Sequence, residues 1–319
     1  MFEQIRANQR NAAILVIVMA FLLVALGFAL GEMLGSGGGV LGVLAAVGIW
    51  CVMTLVSYFS GDKILLSIAG ARKIDRSDHP VLFNVVEEMC IASGLAKLPD
   101  IYIIDDDSPN AFATGRDKKT AVVAVTSGLL KALDRNELQG VIAHEIGHVN
   151  NRDILYMMMI GIMMGTIVIL ADFGRRFLFY GGGSRTRSRR SGGAAQIQIV
   201  VIVVAIALMI LAPIIAQLIY LALSRKREYL ADACSAQYTR YPEGLASALE
   251  KIGKAAIPLR VASQATAPMY IVNPMKFTDV TSTHPPLSER IRILRSIGAG
   301  GTLAGYDEAF RKVTGRPVG

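Results

Sequence analysis

The chain has 319 residues, of which 53% are hydrophobic and only 18% are charged, and its formal net charge is +8. This composition excludes a typical soluble protein, in which about a quarter of the residues are charged. It favours an integral membrane protein, so membrane spans are the first elements to look for.

Four apolar segments are long enough to cross a hydrocarbon core about 30 Å thick. They cover residues 12–30, 40–59, 154–171 and 199–223. For the last two, buried core helices are the alternative, and whether they cross completely stays open. The sequence therefore predicts an α+β, mainly α-helical integral membrane protein with four hydrophobic segments.

Basic residues follow the second and the fourth apolar segments, and two arginines precede the first. By the positive-inside rule, this places the N-terminus and the regions after the second and fourth segments in the cytoplasm. A Gly/Arg-rich loop at residues 174–195 disagrees, because two crossings would place it outside. We expect this loop to contact anionic lipid headgroups or to be a solvated linker, and not to bind nucleic acid.

Between the second and third apolar segments the pattern is that of a folded domain. It predicts a helix over residues 80–95 and buried strands at 101–104 and 121–126. Residues 134–137, Asp-Arg-Asn-Glu, form a capping box that starts the next helix.

That helix carries His144-Glu145-Ile146-Gly147-His148, the most informative stretch of the chain. Two histidines at i and i+4 lie on one helical face, so both imidazoles can reach one metal ion. Glu145 lies beside the open coordination position, where it can take a proton from a water whose pKa zinc lowers to about 7. An ordinary helical turn is the alternative, but chance seldom places two of only four histidines around a glutamate in this register.

A catalytic zinc needs a third protein ligand, and Glu228 is the best candidate. Asp232 lies four residues later on the same helical face, where it can hydrogen-bond the outer nitrogen of a ligating histidine. Taken alone, such a carboxylate pair beside basic residues is usually a solvated surface. However, a hairpin of two spans returns the chain to the membrane face that it left, so Glu228 and His148 emerge at nearly the same height.

The His-Glu-x-x-His motif, followed after a hydrophobic hairpin by Ser-Arg-x-x-Glu-x-x-Ala-Asp, resembles the HtpX-type membrane zinc metalloproteases. Their relatives include the type I CAAX prenyl proteases, and the resemblance extends to about residue 298. It implies a gluzincin-like zinc protease domain, built of helices and a small β-sheet. It assigns His144, His148 and Glu228 as ligands of one Zn²⁺, Glu145 as the general base and Asp232 as the group that orients a ligand.

Two further stretches gain a meaning from this resemblance. Residues 108–115 are similar to the family's Pro-Asn-Ala-Phe-Ala segment, which places Asn110, Ala111 and Phe112 on an edge strand that pairs with an extended substrate. Residues 282–286 resemble the family's His-Pro-Pro element, so His284 is expected to donate to the oxyanion of the tetrahedral intermediate.

The predicted organisation has four parts. Residues 1–60 form an N-terminal membrane hairpin of two transmembrane helices, and residues 61–153 form the first part of a cytoplasmic catalytic domain. Residues 154–223 form a second hydrophobic hairpin that contains the Gly/Arg-rich loop. Residues 224–319 complete the catalytic domain with the glutamate ligand and C-terminal helices.

We therefore expect a zinc endopeptidase in the plasma (inner) membrane, with its catalytic domain facing the cytoplasm. The family resemblance implies unfolded or misassembled membrane and membrane-proximal proteins as substrates, in proteolytic quality control.

One alternative is a prenyl-protein processing protease, whose family usually has more spans. Another is a catalytically silent, zinc-bound membrane scaffold, against which the intact Glu145 argues. A transporter is disfavoured because no span has a charged interior residue. The oligomeric state stays open.

Overall fold

The computed structural model describes residues 2–35, 37–181, 193–255, 269–272, 284–297 and 301–316. In chain order the elements are α1 (Phe2–Leu34), α2 (Gly39–Ile68), β1 (Ala71–Lys73), α3 (Pro80–Ser93), β2 (Asp100–Ile104), β3 (Ala111–Thr114), β4 (Val122–Thr126), α4 (Ser127–Ala132), α5 (Arg135–Asn151), α6 (Asp153–Arg176), a π-helical turn (Phe177–Gly181), α7 (Gly193–Thr239), α8 (Pro242–Lys254), α9 (Leu287–Arg295) and α10 (Leu303–Thr314). The predicted fold class, mainly helical with a small sheet, is confirmed.

The chain divides into two compact units. One, called the sheet unit here, takes its described residues from the ranges 1–8, 58–156 and 221–319. The other, called the span unit, takes them from 9–57 and 157–220. Helices α1, α2, α6 and α7 each contribute residues to both units.

In the part of the chain that the structure describes, four helices are long and apolar enough to cross a membrane: Ile14–Leu34, Gly39–Ile68, Asp153–Phe179 and Ile199–Thr239. Large apolar side chains on them are widely exposed, and Phe21 and Leu41 each keep 71% of their surface uncovered. In water such a surface would be unfavourable, whereas hydrocarbon chains solvate it without penalty. The chain is an integral membrane protein.

Helices α1 and α2 pack closely within the span unit because glycines line their contact. A Cβ built on Gly42 would lie 2.1 Å from the carbonyl oxygen of Gly27, and one on Gly31 would lie 2.3 Å from that of Gly38. Neither position has room for a larger residue. This is the small-residue packing that holds helices together in lipid, where apolar burial gives no driving force.

The sheet unit contains a four-stranded sheet in the order β1-β2-β4-β3. Strand β2 runs parallel to β4, and the other two pairs are antiparallel. All five residues of β4 are buried, as expected of an internal strand whose sequence, Val-Val-Ala-Val-Thr, is mostly apolar. Strand β3 lies at one end of this order and pairs with β4. Its first residue, Ala111, lies opposite Val125.

One hydrophobic core joins one face of the sheet to α3, α5, α8, α9 and α10. Helix α5 lies deep in it, and Val141, Ile142 and Ile146 are fully buried. The predicted capping box holds its first turn: Asp134 Oδ1 accepts the Glu137 N–H at 3.0 Å, and Glu137 Oε2 accepts the Asp134 N–H at 2.8 Å. A helix that is buried and capped in this way gives its side chains fixed positions.

The loop predicted at residues 174–195 is shorter in the structure. Helix α6 continues to Arg176, the π-helical turn reaches Gly181 and α7 already begins at Gly193. Asp172 accepts hydrogen bonds from Arg175 and Arg176 at 3.1 and 2.7 Å, which stabilises the last turn of α6. Residues 182–192, with the other arginines of the predicted loop, lie outside the described residues.

Candidate metal centre and active site

Helix α5 presents two imidazoles to the same point. The Nε2 atoms of His144 and His148 lie 3.2 Å apart, and the two rings meet edge to face. The side chain of His144 is completely buried, and that of His148 keeps 15% of its surface exposed. The i,i+4 spacing on one face of a capped, buried helix accounts for this arrangement.

Glu228, on α7, brings a carboxylate to the same point. Its Oε2 lies 3.6 Å from His144 Nε2, and its Oε1 lies 3.4 Å from His148 Nε2. In a tetrahedral zinc site with bonds of about 2.0–2.1 Å, two ligand atoms lie about 3.3–3.4 Å apart. The three separations therefore fit a site in which His144, His148 and Glu228 hold one metal ion.

Asp232 and a buried arginine support His144. Asp232 Oδ1 lies 3.0 Å from His144 Nδ1, the nitrogen that faces away from Glu228. Arg290 is fully buried, and its guanidinium donates two hydrogen bonds, of 2.7 and 2.9 Å, to the Asp232 carboxylate. Its Nη1 also lies 3.2 Å from Glu228 Oε2. Burial by itself would lower the pKa of Arg290, but the two carboxylates raise it above the ordinary value, so this guanidinium stays charged.

Sequence reasoning missed Arg290. It lies in α9 among two other arginines, Arg292 and Arg295, and no spacing distinguishes the three. Only the packing of α9 against the rest of the core selects Arg290 for the interior, and Arg295 instead forms exposed ion pairs.

A second carboxylate supports His148. Asp153 Oδ2 lies 3.1 Å from His148 Nδ1, and Asp153 Oδ1 pairs with the guanidinium of Arg227. Sequence reasoning missed this contact as well. In a continuous helix a residue five positions later would point about 140° away. The left-handed conformation of Arg152, with φ of 58°, ends α5 and redirects the chain so that Asp153 meets His148.

These neighbours set the charge state of both imidazoles. Burial alone would lower the pKa of each histidine. Asp232 and Glu228 nevertheless raise the pKa of His144, and Asp153 and Glu228 raise that of His148 well above its ordinary value. The carboxylates that raise these pKa values also favour a positive charge, such as a metal ion, in the space between them.

Glu145 lies on the neighbouring face of α5 and is almost fully buried. Burial raises its pKa, while the two histidines and a hydrogen bond from the backbone of Ala113 oppose the rise. Among the described residues, its Oε1 has no hydrogen-bond partner. A desolvated carboxylate with a free oxygen beside a candidate metal centre is well suited to accept a proton.

His284 lies at the same centre, with its Nε2 3.7 Å from Glu228 Oε2. Burial lowers its pKa to about 4, so the imidazole is neutral near pH 7. A neutral imidazole keeps one N–H that can donate a hydrogen bond.

Asn110, Ala111 and Phe112 lie on or next to β3, at the edge opposite β4. The Ile271 N–H donates to the Ala111 carbonyl at 2.9 Å, and the Asn110 side chain donates to the Val272 carbonyl at 2.8 Å. The ring of Phe112 meets that of Tyr270 edge to face, with centroids 5.2 Å apart. Residues 269–272 thus already pair with this edge, which the sequence pattern did not predict.

Residues 77–298 match the model of peptidase family M48. A protein named Protease HtpX homolog from Dictyoglomus thermophilum is 46% identical over 299 residues, which cover 93% of this chain and 95% of that protein. The protein of the same name from Caldanaerobacter subterraneus is 40% identical over 299 residues, with 93% and 98% covered.

A third relative of that name, from Pyrococcus abyssi, is 43% identical over 286 residues, with 88% of this chain and 94% of that protein covered. Among solved structures, the crystal structure of S. mikatae Ste24p is similar in fold. Its TM-score is 0.51 at 18% identity, and the match covers 92% of this chain and 67% of that one. From the family match and the identity over nearly its whole length, the chain belongs to peptidase family M48, among the HtpX-type membrane proteases.

Proposed function

We propose that this protein is a zinc-dependent membrane endopeptidase whose metal ligands are His144, His148 and Glu228. The supporting observation is the spacing of their donor atoms beside the buried Glu145. The two Nε2 atoms lie 3.2 Å apart, Glu228 Oε1 lies 3.4 Å from His148 Nε2, and Glu228 Oε2 lies 3.6 Å from His144 Nε2. A purely structural zinc would typically have four protein ligands and no need for a neighbouring base.

The chain's own residues carry the proton transfers. When bound, zinc would polarise the scissile carbonyl and lower the pKa of a water. Glu145 accepts a proton from the attacking water as its oxygen adds to the carbonyl carbon, and returns the proton to the amine as the C–N bond breaks. The raised pKa of Glu145 brings this carboxylate closer to the pH at which both transfers are efficient. His284, neutral through burial, donates its N–H to the oxyanion.

Substrate binding is proposed at the outer edge of β3. The Asn110 side chain and the Ala111 carbonyl carry polar groups on this edge, where they now bond to residues 271 and 272, and Phe112 belongs to the same strand. Pairing through the backbone favours broad sequence specificity and requires an extended segment. Because the Ala111 carbonyl is already bonded to the Ile271 N–H, a substrate strand that uses this carbonyl must take the place of Ile271.

We propose unfolded or misassembled membrane and membrane-proximal proteins as the substrates. Their extended segments satisfy the requirement of an edge strand, and the four apolar helices tether the enzyme to the bilayer. We propose a plasma (inner) membrane location. The basic residues after the second and fourth spans support an orientation with the catalytic residues in the cytoplasm.

A substrate comparison tests this proposal. Zinc-supplied enzyme, purified in detergent, is given an unfolded protein and a farnesylated CaaX peptide in separate reactions. We expect cleavage of the unfolded protein at internal bonds, with the farnesylated peptide cleaved no faster than its unmodified form. Selective cleavage of the farnesylated peptide would instead indicate a prenyl-protein processing protease, and zinc binding without any cleavage would indicate a silent scaffold.

A further inference from the structure

Each of the two histidines on α5 is backed by its own carboxylate and arginine. His144 contacts Asp232, which is gripped by Arg290, as described above. His148 contacts Asp153 at 3.1 Å, and Asp153 is held by Arg227. The family resemblance implies Asp232. Asp153 and Arg227, called the second set here, lie on α6 and α7 and have no role in the mechanism above.

The second set links three helices within the sheet unit. Asp153 is the first residue of α6, directly after the left-handed Arg152 that ends α5. Arg227 lies on α7, one residue before Glu228. The ion pair between Asp153 and Arg227 therefore connects the chain just after α5 to the turn of α7 that carries Glu228, the third candidate ligand.

Burial and charge indicate that these groups are held in place. Asp153 is 4% exposed and Arg227 8% exposed, so neither side chain is free to sample solvent. The guanidinium also lies over the ring of Tyr156, 5.1 Å from its centroid. A buried carboxylate without a cation would be costly, and Arg227 supplies that cation in a fixed orientation.

The contact to His148 has a chemical consequence. When Nδ1–H donates to Asp153, the proton is fixed on that nitrogen and the lone pair of Nε2 is free. That lone pair faces His144 Nε2 and Glu228 Oε1, at 3.2 and 3.4 Å. Carboxylates behind ligating histidines orient the ring and raise its basicity as a ligand.

We propose that Asp153 and Arg227 are positioning residues for the metal centre: Asp153 fixes the tautomer and ring orientation of His148, and Arg227 fixes Asp153. The proposal rests on the proposed function, because it takes zinc to be bound by His148. A plain ion pair that only joins α6 to α7 would stabilise the fold without affecting metal affinity.

The test measures zinc affinity and not activity. Full-length wild type, Asp153→Asn, Arg227→Gln and the double variant are purified in detergent and titrated with zinc against a chromophoric chelator. Asp172→Asn is the matched control, since it removes an exposed aspartate that pairs with two arginines at the other end of α6. Unfolding temperatures of the metal-free proteins are recorded in parallel.

We expect Asp153→Asn to weaken zinc binding about 10–100-fold, the usual cost of losing such a carboxylate. Arg227→Gln should weaken it less, and should add nothing in the Asp153→Asn background because it acts through Asp153. Asp172→Asn should bind zinc as wild type does. The cobalt(II) absorption spectrum, which reports the ligand geometry, should change in Asp153→Asn and be restored in part by Asp153→Glu.

Wild-type zinc affinity in Asp153→Asn would overturn the proposal and leave the proposed function intact. Additive effects in the double variant would overturn the part assigned to Arg227. Should Asp153→Asn fail to fold, Arg227→Gln removes the cation that holds Asp153. An unchanged zinc affinity together with an unchanged cobalt spectrum in Arg227→Gln would then contradict the proposal. Absence of zinc binding in wild type would refute the proposed function itself.

Discussion

At the scale of single residues, the ligand assignment makes His148 indispensable for the metal. In His148→Ala only one imidazole and one carboxylate remain, fewer than the three protein ligands that a catalytic zinc needs. We expect the bound zinc to fall from one per chain to none, as measured by elemental analysis of the purified protein.

His79→Ala is the matched control for this loss. His79 caps α3, where its Nδ1 accepts the Leu82 N–H at 3.1 Å, so its removal should cost about 1 kcal/mol of stability but no zinc. Full zinc occupancy in His148→Ala would remove His148 from the ligand set.

We expect His284 to affect the rate of the reaction, through its N–H donor, and not the binding of the metal. Replacing it with phenylalanine keeps a buried ring of similar shape but removes the N–H donor. We expect kcat to fall about 10²–10³-fold, the cost of losing one oxyanion donor, with zinc content unchanged.

Steady-state kinetics on a fluorogenic peptide, beside zinc analysis, check this prediction for His284→Phe. An unchanged kcat would show that another group stabilises the oxyanion, and loss of zinc would show that His284 belongs to the metal centre.

The candidate ligands could be predicted because helical spacing places side chains without knowledge of the tertiary fold. His144, Glu145 and His148 lie in one five-residue stretch. The need for a third ligand and the membrane hairpin already made Glu228 the best candidate, and the family resemblance then assigned it. Asp153, Arg227 and Arg290 could not be found in this way, because a left-handed residue or the packing of a distant helix brings them to the site.

At the scale of elements, the edge of β3 links substrate binding to residues 269–272. A substrate strand that bonds to the Ala111 carbonyl must release the Ile271 N–H from it. We therefore expect the Ile271 amide to exchange with deuterium several-fold faster when an unfolded peptide saturates the Glu145→Gln variant. Hydrogen exchange followed by mass spectrometry of the peptide containing Ile271 measures this.

The Leu82 amide, bonded to the His79 cap, is the internal reference and should not change. If the peptide binds and the Ile271 amide stays protected, then the substrate does not displace this segment and pairs elsewhere.

Several elements were predictable because their patterns are local. Strands β2 and β4 are short runs rich in β-branched residues, and α5 begins with a capping box; all three are present. The pairing of residues 269–272 with β3 was not predictable, since so short a segment has no periodicity of its own. The loop at 174–195 was predicted too long because glycine and arginine content masked an apolar run, Phe177–Tyr180, that continues the helix.

At the scale of the whole molecule, one metal ion would join segments that are far apart in the chain. His148 lies on α5 and Glu228 on α7, with α6 and the apolar first part of α7 between them in sequence. A ligand that binds only the folded state adds about 4 kcal/mol when it is present at a thousand times its Kd. Removing zinc with a chelator should therefore lower the unfolding temperature by several degrees, and adding zinc back should restore it.

Thermal unfolding in detergent, followed by intrinsic fluorescence, measures this shift. The chelator should have no effect on His148→Ala, which cannot bind the metal. An equal shift in that variant would mean that the chelator acts on some other site or on the detergent-solubilised protein in general.

The central claim is that Glu145 is the base of a zinc endopeptidase, and a degradation time course tests it most directly. Wild type and Glu145→Gln, both loaded with zinc and matched for metal content, are incubated with casein as an unfolded substrate. The amide keeps the shape of the carboxylate but cannot take up the proton, so we predict degradation by wild type and at least about a hundredfold slower degradation by Glu145→Gln. Equal rates in the two proteins would contradict this account.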